Sequence, residues 1–372
     1  MTSSNSKSIV ILPGDGIGPE VIAQARRVLT WASDQSDVAL NLSDRHYGLE
    51  SYQRSGEVLT EETLSDVLAA DAVLFGASGT NDHNDIPREV KRRGSLLRMR
   101  KEMDVFANLR PVRMPDALLD ISPLAGERAR GIDLIFVREL TSGLYFGQPK
   151  LIEDLPDGSQ RGVDTQSYTT PEITRVAEFA LDLARSRSGK LHSVDKSNVM
   201  ESGRLWRQVV SDVQSKGHDD ICLTHILGDN CGMQLVINPG QFDVILADNM
   251  FGDILSDVAG GVLGSLGMLP SASLSAADAQ GRRKSFFEPV HGSAPDIAGK
   301  GIANPMAAIQ SVAMMLRLVL GAPELADRVD SAIDQVLANG VRTADISAQG
   351  QIPASTVAVG DAVLAVLAEN PS

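Results

Sequence analysis

The chain has 372 residues, 43% hydrophobic and 22% charged, with a formal charge of −14, enough for about two domains around ordinary cores. That charge excludes nucleic acid or an anionic membrane as the main partner, because most of the surface would repel either. No apolar run reaches membrane-spanning length, the polar start Met1–Ser8 lacks the apolar stretch of a signal peptide, and only two cysteines occur, Cys222 and Cys231, so a reducing, cytoplasmic setting without a zinc site is expected.

The first apolar run, Ile9–Leu12, is predicted as a strand, followed by Gly14-Asp15-Gly16-Ile17-Gly18-Pro19-Glu20 and a helix over Pro19–Trp31. This glycine spacing lacks the third glycine of the dinucleotide fingerprint, and no acidic residue ends a second strand about twenty positions on; Asp34 and Asp37 fall in polar loop sequence. The glycines are explained as well by a tight strand-to-helix turn near a ligand. A helix over Thr60–Ala69 and a strand over Ala72–Phe75 come next.

Val90–Lys101 then carries Lys91, Arg92, Arg93, Arg98, Arg100 and Lys101, mostly a solvated basic face. Arg100 differs, lying three and four positions after Leu97 and Leu96 and three before Met103, so it shares their apolar face. There it requires a partner, either a structural ion pair or a bidentate substrate carboxylate. Arg110, and Arg138 at the end of the apolar run Ile132–Val137, are placed to converge with it. Three such arginines beside a metal site would point to a substrate with two carboxylates.

Tyr145 follows in Leu144-Tyr145-Phe146-Gly147, and Leu151–Thr170, punctuated by Pro156, Asp157, Gly158 and Gly162, is expected to form a hairpin-like arm for subunit contact. A helix is predicted over Pro171–Arg187. Lys196 comes after an extended run and before a helix, a position suited to a catalytic amine, although lone tyrosines and lysines are ordinarily structural or surface residues. The runs Ile221–Leu227 and Phe242–Ala247 are strands, with Cys222 expected in the core.

Asp253 and Asp257 stand four apart after Phe251, so on a helix both carboxylates reach one point. They form either a solvated acidic face or a clamp for a hard divalent ion such as Mg2+ or Mn2+, which takes oxygen ligands and leaves room for a substrate. The glycine-rich stretch Phe287–Pro305 carries His291, Asp296 and Asn304. It is read as a loop that wraps a flat ligand such as an adenine while a carboxylate accepts both ribose hydroxyls, or else as a long connection with a core histidine. Ala303–Leu320 is an apolar packing helix. Strand and helix alternation throughout implies a layered α/β protein.

Together the motifs, from Ile9 to about Leu320, resemble the β-decarboxylating dehydrogenases, and Arg138-Glu139-Leu140-Thr141 through Tyr145-Phe146-Gly147 is similar to the isopropylmalate branch. The resemblance implies a two-domain fold with a large mixed sheet, not a Rossmann fold: residues 1–107 and 263–372 form a first, cofactor-side domain, and 108–262 form a second with the metal and substrate residues, the arm at about 151–170 and the dimer interface. It implies substrate binding by Leu96, Leu97, Arg100, Arg110, Arg138, Val199 and Asp229, and Mg2+ or Mn2+ held by Asp253 and Asp257 with Asp229 of the partner subunit. Lys196, also from the partner, would be the base and Tyr145 the proton donor. His291, Gly292, Ser293, Ala294, Pro295, Asp296, Ile297 and Asn304 would bind NAD, with Asp296-Ile297 similar to NAD-dependent members.

The implied reaction is NAD-dependent oxidative decarboxylation of (2R,3S)-3-isopropylmalate to 4-methyl-2-oxopentanoate and CO2 in leucine biosynthesis, by a homodimer with shared active sites. Three stretches depart from the family pattern: Lys91–Ser95, Gly79–Asn84, and His225-Ile226-Leu227-Gly228-Asp229. Arg93 in the first favours an alternative, the same chemistry on a malate with a more acidic C3 substituent, isocitrate-, homoisocitrate-, tartrate- or D-malate-like. A reading of another class is a non-catalytic regulatory paralogue, but Lys196, Tyr145 and the aspartates it would be expected to lose are all present.

Overall fold

A computed structural model describes residues 6–36, 38–79 and 85–369; Asp37 and most of the atypical stretch Gly79–Asn84 lie outside them. The chain runs β1 (Ser6–Gly14), α1 (Gly18–Asp34), β2 (Ala39–Asp44), α2 (Leu49–Ser55), α3 (Glu61–Ala69), β3 (Ala72–Ala77), α4 (Arg88–Arg93), α5 (Leu96–Glu102), β4 (Ala107–Arg113), α6 (Gly126–Ala129) and β5 (Asp133–Glu139). It continues through β6 (Leu151–Asp154), β7 (Gln160–Val163), α7 (Thr170–Ser186), β8 (Lys190–Asp195), α8 (Glu201–Ser215), β9 (Cys222–Leu227), α9 (Gly228–Ile237), β10 (Val244–Ala247) and α10 (Asn249–Leu263). β11 (Pro270–Leu274), β12 (Ser285–Pro289), α11 (Met306–Leu318), α12 (Pro323–Ala338) and α13 (Thr356–Glu369) complete it.

Local chemistry sets several of these boundaries. Thr169 and Glu172 close a capping box around Pro171 at the start of α7, and the Ser95 hydroxyl accepts the Arg98 N–H, so that α5 begins afresh after α4. The Asp248 carboxylate accepts the Phe251 N–H at 2.7 Å at the head of α10, and Gly264 ends that helix in the left-handed conformation.

Ten strands form one mixed sheet in the order β2-β1-β3-β12-β11-β4-β5-β10-β8-β9. β11 is antiparallel to both β12 and β4, and β4 to β5, while the outer pairs are parallel. The large mixed sheet expected from the sequence is therefore present, and it is not a Rossmann sheet. β2, β1, β3, β12 and β11 come from residues 6–77 and 270–289, and the other five from 107–247. α1, α11, α12 and α13 pack together over the first set, α7 against α8 and α9 against α10 over the second. A core containing Phe136, Phe287 and Trp206 runs across both sets, and a smaller one around Phe75, Phe286 and Met99 lies on the opposite face.

Leu151–Val163 forms the expected hairpin, β6 pairing antiparallel with β7 apart from the main sheet. Cys222 is a correction: it is exposed, whereas Cys231 is buried. β9 is the edge strand and its residues alternate in exposure, so an apolar run there does not bury every member. Among the described residues no helix is long and apolar enough to cross a membrane.

Candidate active site

The two arginines expected to converge with Arg100 arise on neighbouring antiparallel strands, Arg110 in β4 and Arg138 near the end of β5. Both are almost wholly buried, and each guanidinium reaches Asp253 Oδ1, from Arg138 Nη1 at 2.5 Å and from Arg110 Nη2 at 3.2 Å. Asp257, one turn further along α10, lies 3.6 Å from Arg110 Nη1. The i, i+4 geometry is realised, and both carboxylates face cations. Gly252 allows this approach, since a Cβ there would meet Arg138 Cβ and Cγ at 2.7 Å.

Arg110 is held by its neighbours. Its Nε donates to Asn108 Oδ1 at 2.8 Å and its Nη1 to Ser256 Oγ at 2.8 Å, while Asn108 Nδ2 donates to Ser271 and Ser273. Tyr145, just after β5, donates its hydroxyl to Asp253 Oδ2 at 2.9 Å, and Arg138 lies 5.7 Å from its ring centroid. Arg100 on α5 is paired with Glu288 at the end of β12.

The electrostatics follow from this crowding. Burial and the neighbouring Arg110 pull the Arg138 guanidinium down to about 9, with Asp253 working against them, so it remains cationic at neutral pH. Burial raises Asp253, but Arg138, Arg110 and the Tyr145 hydroxyl outweigh it and the carboxyl lies below its ordinary value. Burial raises Asp257, which Arg110 offsets only in part. Burial and Asp253 raise Tyr145, so its phenol keeps a proton to donate.

A cleft of about 170 Å³ opens beside the cluster, with Leu96, Arg100, Arg110, Ser271, Glu288 and His291 in its wall. Leu97 is half-buried on the same helix and is not in that wall. Arg93 is exposed on α4, has Glu61 and Glu89 among its electrostatic neighbours, and is not in the wall either.

The 291–304 loop rests on the first glycine-rich turn. Ile17 donates its backbone N–H to the Ser293 carbonyl at 2.8 Å, and Gly16, at φ +59°, has that carbonyl oxygen 2.0 Å from where a Cβ would lie. Ser293 is buried, Ala294 and Ile297 are half-buried, and Gly292, Pro295 and Asp296 face solvent. His291 Nδ1 lies 2.9 Å from the Gly292 carbonyl, and burial favours the neutral ring. Its Nε2 is buried without a hydrogen-bond partner, which fits a loop shaped to receive a polar ligand. The Asn304 side chain is already engaged, donating to Asp345 at 3.1 Å and accepting the Met306 N–H at 3.0 Å.

Lys196 and Asp229 are brought together away from this cluster. Lys196, after β8, donates from Nζ to Asp229 Oδ1, in the first turn of α9, at 2.7 Å. That bond holds Asp229 below its ordinary value. Val199, beside Lys196, is 70% exposed. Among the described residues no three His, Cys, Asp or Glu side chains are grouped as a metal site, so Asp229 does not join Asp253 and Asp257 within one chain.

Sequence reasoning assigned no role to Glu288, although it lies in the Phe287–Pro305 stretch singled out above, or to Asn249, four residues before Asp253. The need for a carboxylate beside Arg100 was a signal for Glu288, but nothing local to either sequence segment tells which distant residue supplies it.

The model of the family described as isocitrate/isopropylmalate dehydrogenase matches residues 8–363. A 3-isopropylmalate dehydrogenase of Rhodospirillum rubrum is 52% identical over 365 residues, covering 98% of each chain, and 3-isopropylmalate dehydrogenase 1 of Bradyrhizobium diazoefficiens is 50% identical over 366 residues, covering 98% of this chain and 97% of the relative. Among solved structures, isocitrate dehydrogenase from Methylococcus capsulatus superposes with a TM-score of 0.83 at 30% identity, covering 97% of this chain and 99% of the other. A β-decarboxylating dehydrogenase from Thermococcus kodakarensis gives 0.77 at 34% identity, covering 98% and 96%. The chain belongs to the isocitrate/isopropylmalate dehydrogenase family and is accordingly a decarboxylating dehydrogenase.

Proposed function

We propose that this protein is a homodimeric, cytoplasmic enzyme that oxidises and decarboxylates 3-isopropylmalate in leucine biosynthesis, using NAD and Mg2+ or Mn2+. The observation that carries the proposal is the cluster of Arg100, Arg110 and Arg138 facing Asp253, Asp257 and Glu288 beside a cleft edged by Leu96. Three guanidiniums and three carboxylates balance, so a divalent cation and a dianionic acid can enter together without leaving net charge in the site. The names of the relatives at about half identity support the isopropyl substituent.

The oxygen-only donor set of Asp253 and Asp257 fits a hard cation that keeps waters, and Asp229 of a second subunit would complete it. When bound, the ion would supply a Lewis acid at the C2 hydroxyl and the nicotinamide a hydride acceptor. Arg100, Arg110 and Arg138 would hold the carboxylates, with Glu288 giving up its share of Arg100. Lys196 of the second subunit would take the hydroxyl proton, and Tyr145 would return a proton to C3 after CO2 leaves. Leu96, Leu97 and Val199 would enclose the isopropyl group. The loop from His291 through Gly292, Ser293, Ala294, Pro295, Asp296 and Ile297 to Asn304 would bind NAD, Asp296 taking the ribose hydroxyls and repelling a 2′-phosphate.

Met233, Val236 and Ile237 of α9 and Ile254 of α10 expose an apolar face on two packed helices, which supports burial against the same face of another copy. The proposed division into residues 1–107 with 263–372 and residues 108–262 draws the cluster from both parts, Arg100 and Glu288 from the first and Arg110, Arg138, Asp253 and Asp257 from the second. NADH formation with 3-isopropylmalate, isocitrate, D-malate and tartrate, each with Mg2+ or EDTA, tests the reading. Turnover of 3-isopropylmalate that EDTA abolishes is expected; turnover of another acid in its place would refute it.

A further inference from the structure

We propose that Asn249 is a positioning residue: it sets the direction of the Arg138 fork, and through it the pose of the substrate carboxylate. This rests on the reading above, in which Arg138 grips that carboxylate. Arg138 Nε and Nη2 both donate to Asn249 Oδ1, at 3.0 and 2.7 Å. Of the five N–H donors on a guanidinium, Asn249 takes two and Asp253 one. One N–H remains on each of Nη1 and Nη2, the number a carboxylate takes side by side.

Asn249 suits this task because it is itself fixed from three sides. It has no exposed surface, its Nδ2 donates to the Ser142 carbonyl at 3.0 Å, and its backbone N–H donates to the Tyr168 hydroxyl at 2.9 Å. Tyr168 donates in turn to Glu139 at 3.1 Å, and Glu139, wholly buried, also accepts from the Thr141 and Ser142 N–H groups and the Thr141 hydroxyl. Arg138 and Glu139 are adjacent on β5 and project to opposite faces, so both faces of the strand end are tied to the first residue of α10, Arg138 to its side chain and Glu139 to its backbone through Tyr168.

Asn249, Tyr168 and Glu139 do not line the cleft, and Arg138 itself stands just behind its wall, sharing Asp253 with the wall residue Arg110. Asn249 bonds no other residue of the cluster, so it acts through Arg138, and its polar chemistry is spent on direction. Without the Oδ1 acceptor, two buried guanidinium donors lose their partner, and the fork is free to turn toward Asp253.

The test compares Asn249→Leu, which removes the acceptor at similar volume, with Asn249→Asp, which keeps an oxygen there, in the full-length assembled enzyme. The acid is whichever of the four above the wild type oxidises. Asn249→Leu is expected to raise KM for that acid at least about 30-fold while KM for NAD stays within about twofold, since a misplaced clamp costs up to about a hundredfold. Asn249→Asp is expected to recover at least about tenfold of the loss. An unchanged acid KM in Asn249→Leu, a parallel rise in KM for NAD, or equal losses in the two variants would overturn the proposal. If the wild type oxidises none of the acids, the functional reading fails and a crystal structure of Asn249→Leu decides this inference: a turned Arg138 guanidinium supports it, and an unmoved one overturns it.

Discussion

Two ion-pair groups from the same chain behave as opposites. Around Asp253, two buried guanidiniums, a half-buried phenol and, through Arg138, a buried asparagine converge, and Arg110, Arg138 and Asn249 each have several bonds. Lys196 and Asp229 have one another, with the Asp229 side chain 69% exposed. The first group is pre-organised by the sheet and needs no second chain to exist. The second joins an amine and a carboxylate, the types a base and a metal ligand require, outside the cluster they would serve. On the proposed reading, the difference means that half of the chemistry is built by folding and half by assembly.

The largest effect is an all-or-none one that would break this division. Lys196→Ala and Asp253→Ala homodimers are each expected to lose at least about a hundredfold in turnover. Refolded together in equal amounts, they should recover about one quarter of the wild-type rate, because half of random dimers are mixed and each mixed dimer has one site with both residues. Activity is read as NADH formation after mixing. No recovery, with mixed dimers demonstrated by mass, would place Lys196 and Asp253 in the same chain's site and remove the partition.

What the sequence made legible follows the same line. Segments with a local signal were readable: the five apolar runs became β1, β3, β5, β9 and β10, and the i, i+4 aspartates lie on a helix. β4 was not, because Ala107–Arg113 mixes two arginines and a proline with its apolar residues and is a strand only through its partners β5 and β11. Arg100 announced a need for a carboxylate, yet Glu288 is 188 residues away and meets it only through β12. Lys196 and Asp229 were each read as candidates, but their mutual pairing depends on β8 and β9 lying side by side. Cys222 was misread because apolar neighbours do not reveal which strand is the edge.

A smaller effect sharpens the comparison in stability. Asp253→Asn leaves two buried guanidiniums without their shared charge, but the Asp253 side chain is itself 35% exposed and water screens part of the loss, so the cost should be about 1–3 kcal/mol, whereas Asp229→Asn at the exposed pair should leave the melting temperature essentially unchanged. Thermal denaturation in EDTA, to exclude metal binding, compares them. The sign in pH is fixed: Asp253 is held below its ordinary value, so its contribution is present above the ordinary carboxylate range and is lost as pH falls through its folded value. Wild-type protein should therefore lose stability on acidification more steeply than Asp253→Asn. Equal costs for the two substitutions would erase the contrast between a carboxylate shared by two buried guanidiniums and a lone exposed pair.

The smallest effect concerns the wall of the cleft and what lies outside it. Leu96 and Arg93 are three residues apart, but Ser95 restarts the helix between them, so Leu96 enters the wall and Arg93 stays on the exposed end of α4. A solvent-exposed guanidinium near Glu61 and Glu89 contributes little field inside the cleft, because water screens it and those carboxylates offset it. Arg93→Ala should therefore change kcat/KM for 3-isopropylmalate by less than about twofold. Leu96→Ala, which removes apolar wall, should lower it by about 10–200-fold while sparing acids without the branched substituent. If Arg93→Ala instead selectively impaired an acid with a charged C3 substituent, the arginine would be reaching the cleft in the working enzyme. The departure from the family pattern at Lys91–Ser95 would then be a specificity element, and not, as its exposure argues, a solvated helix end.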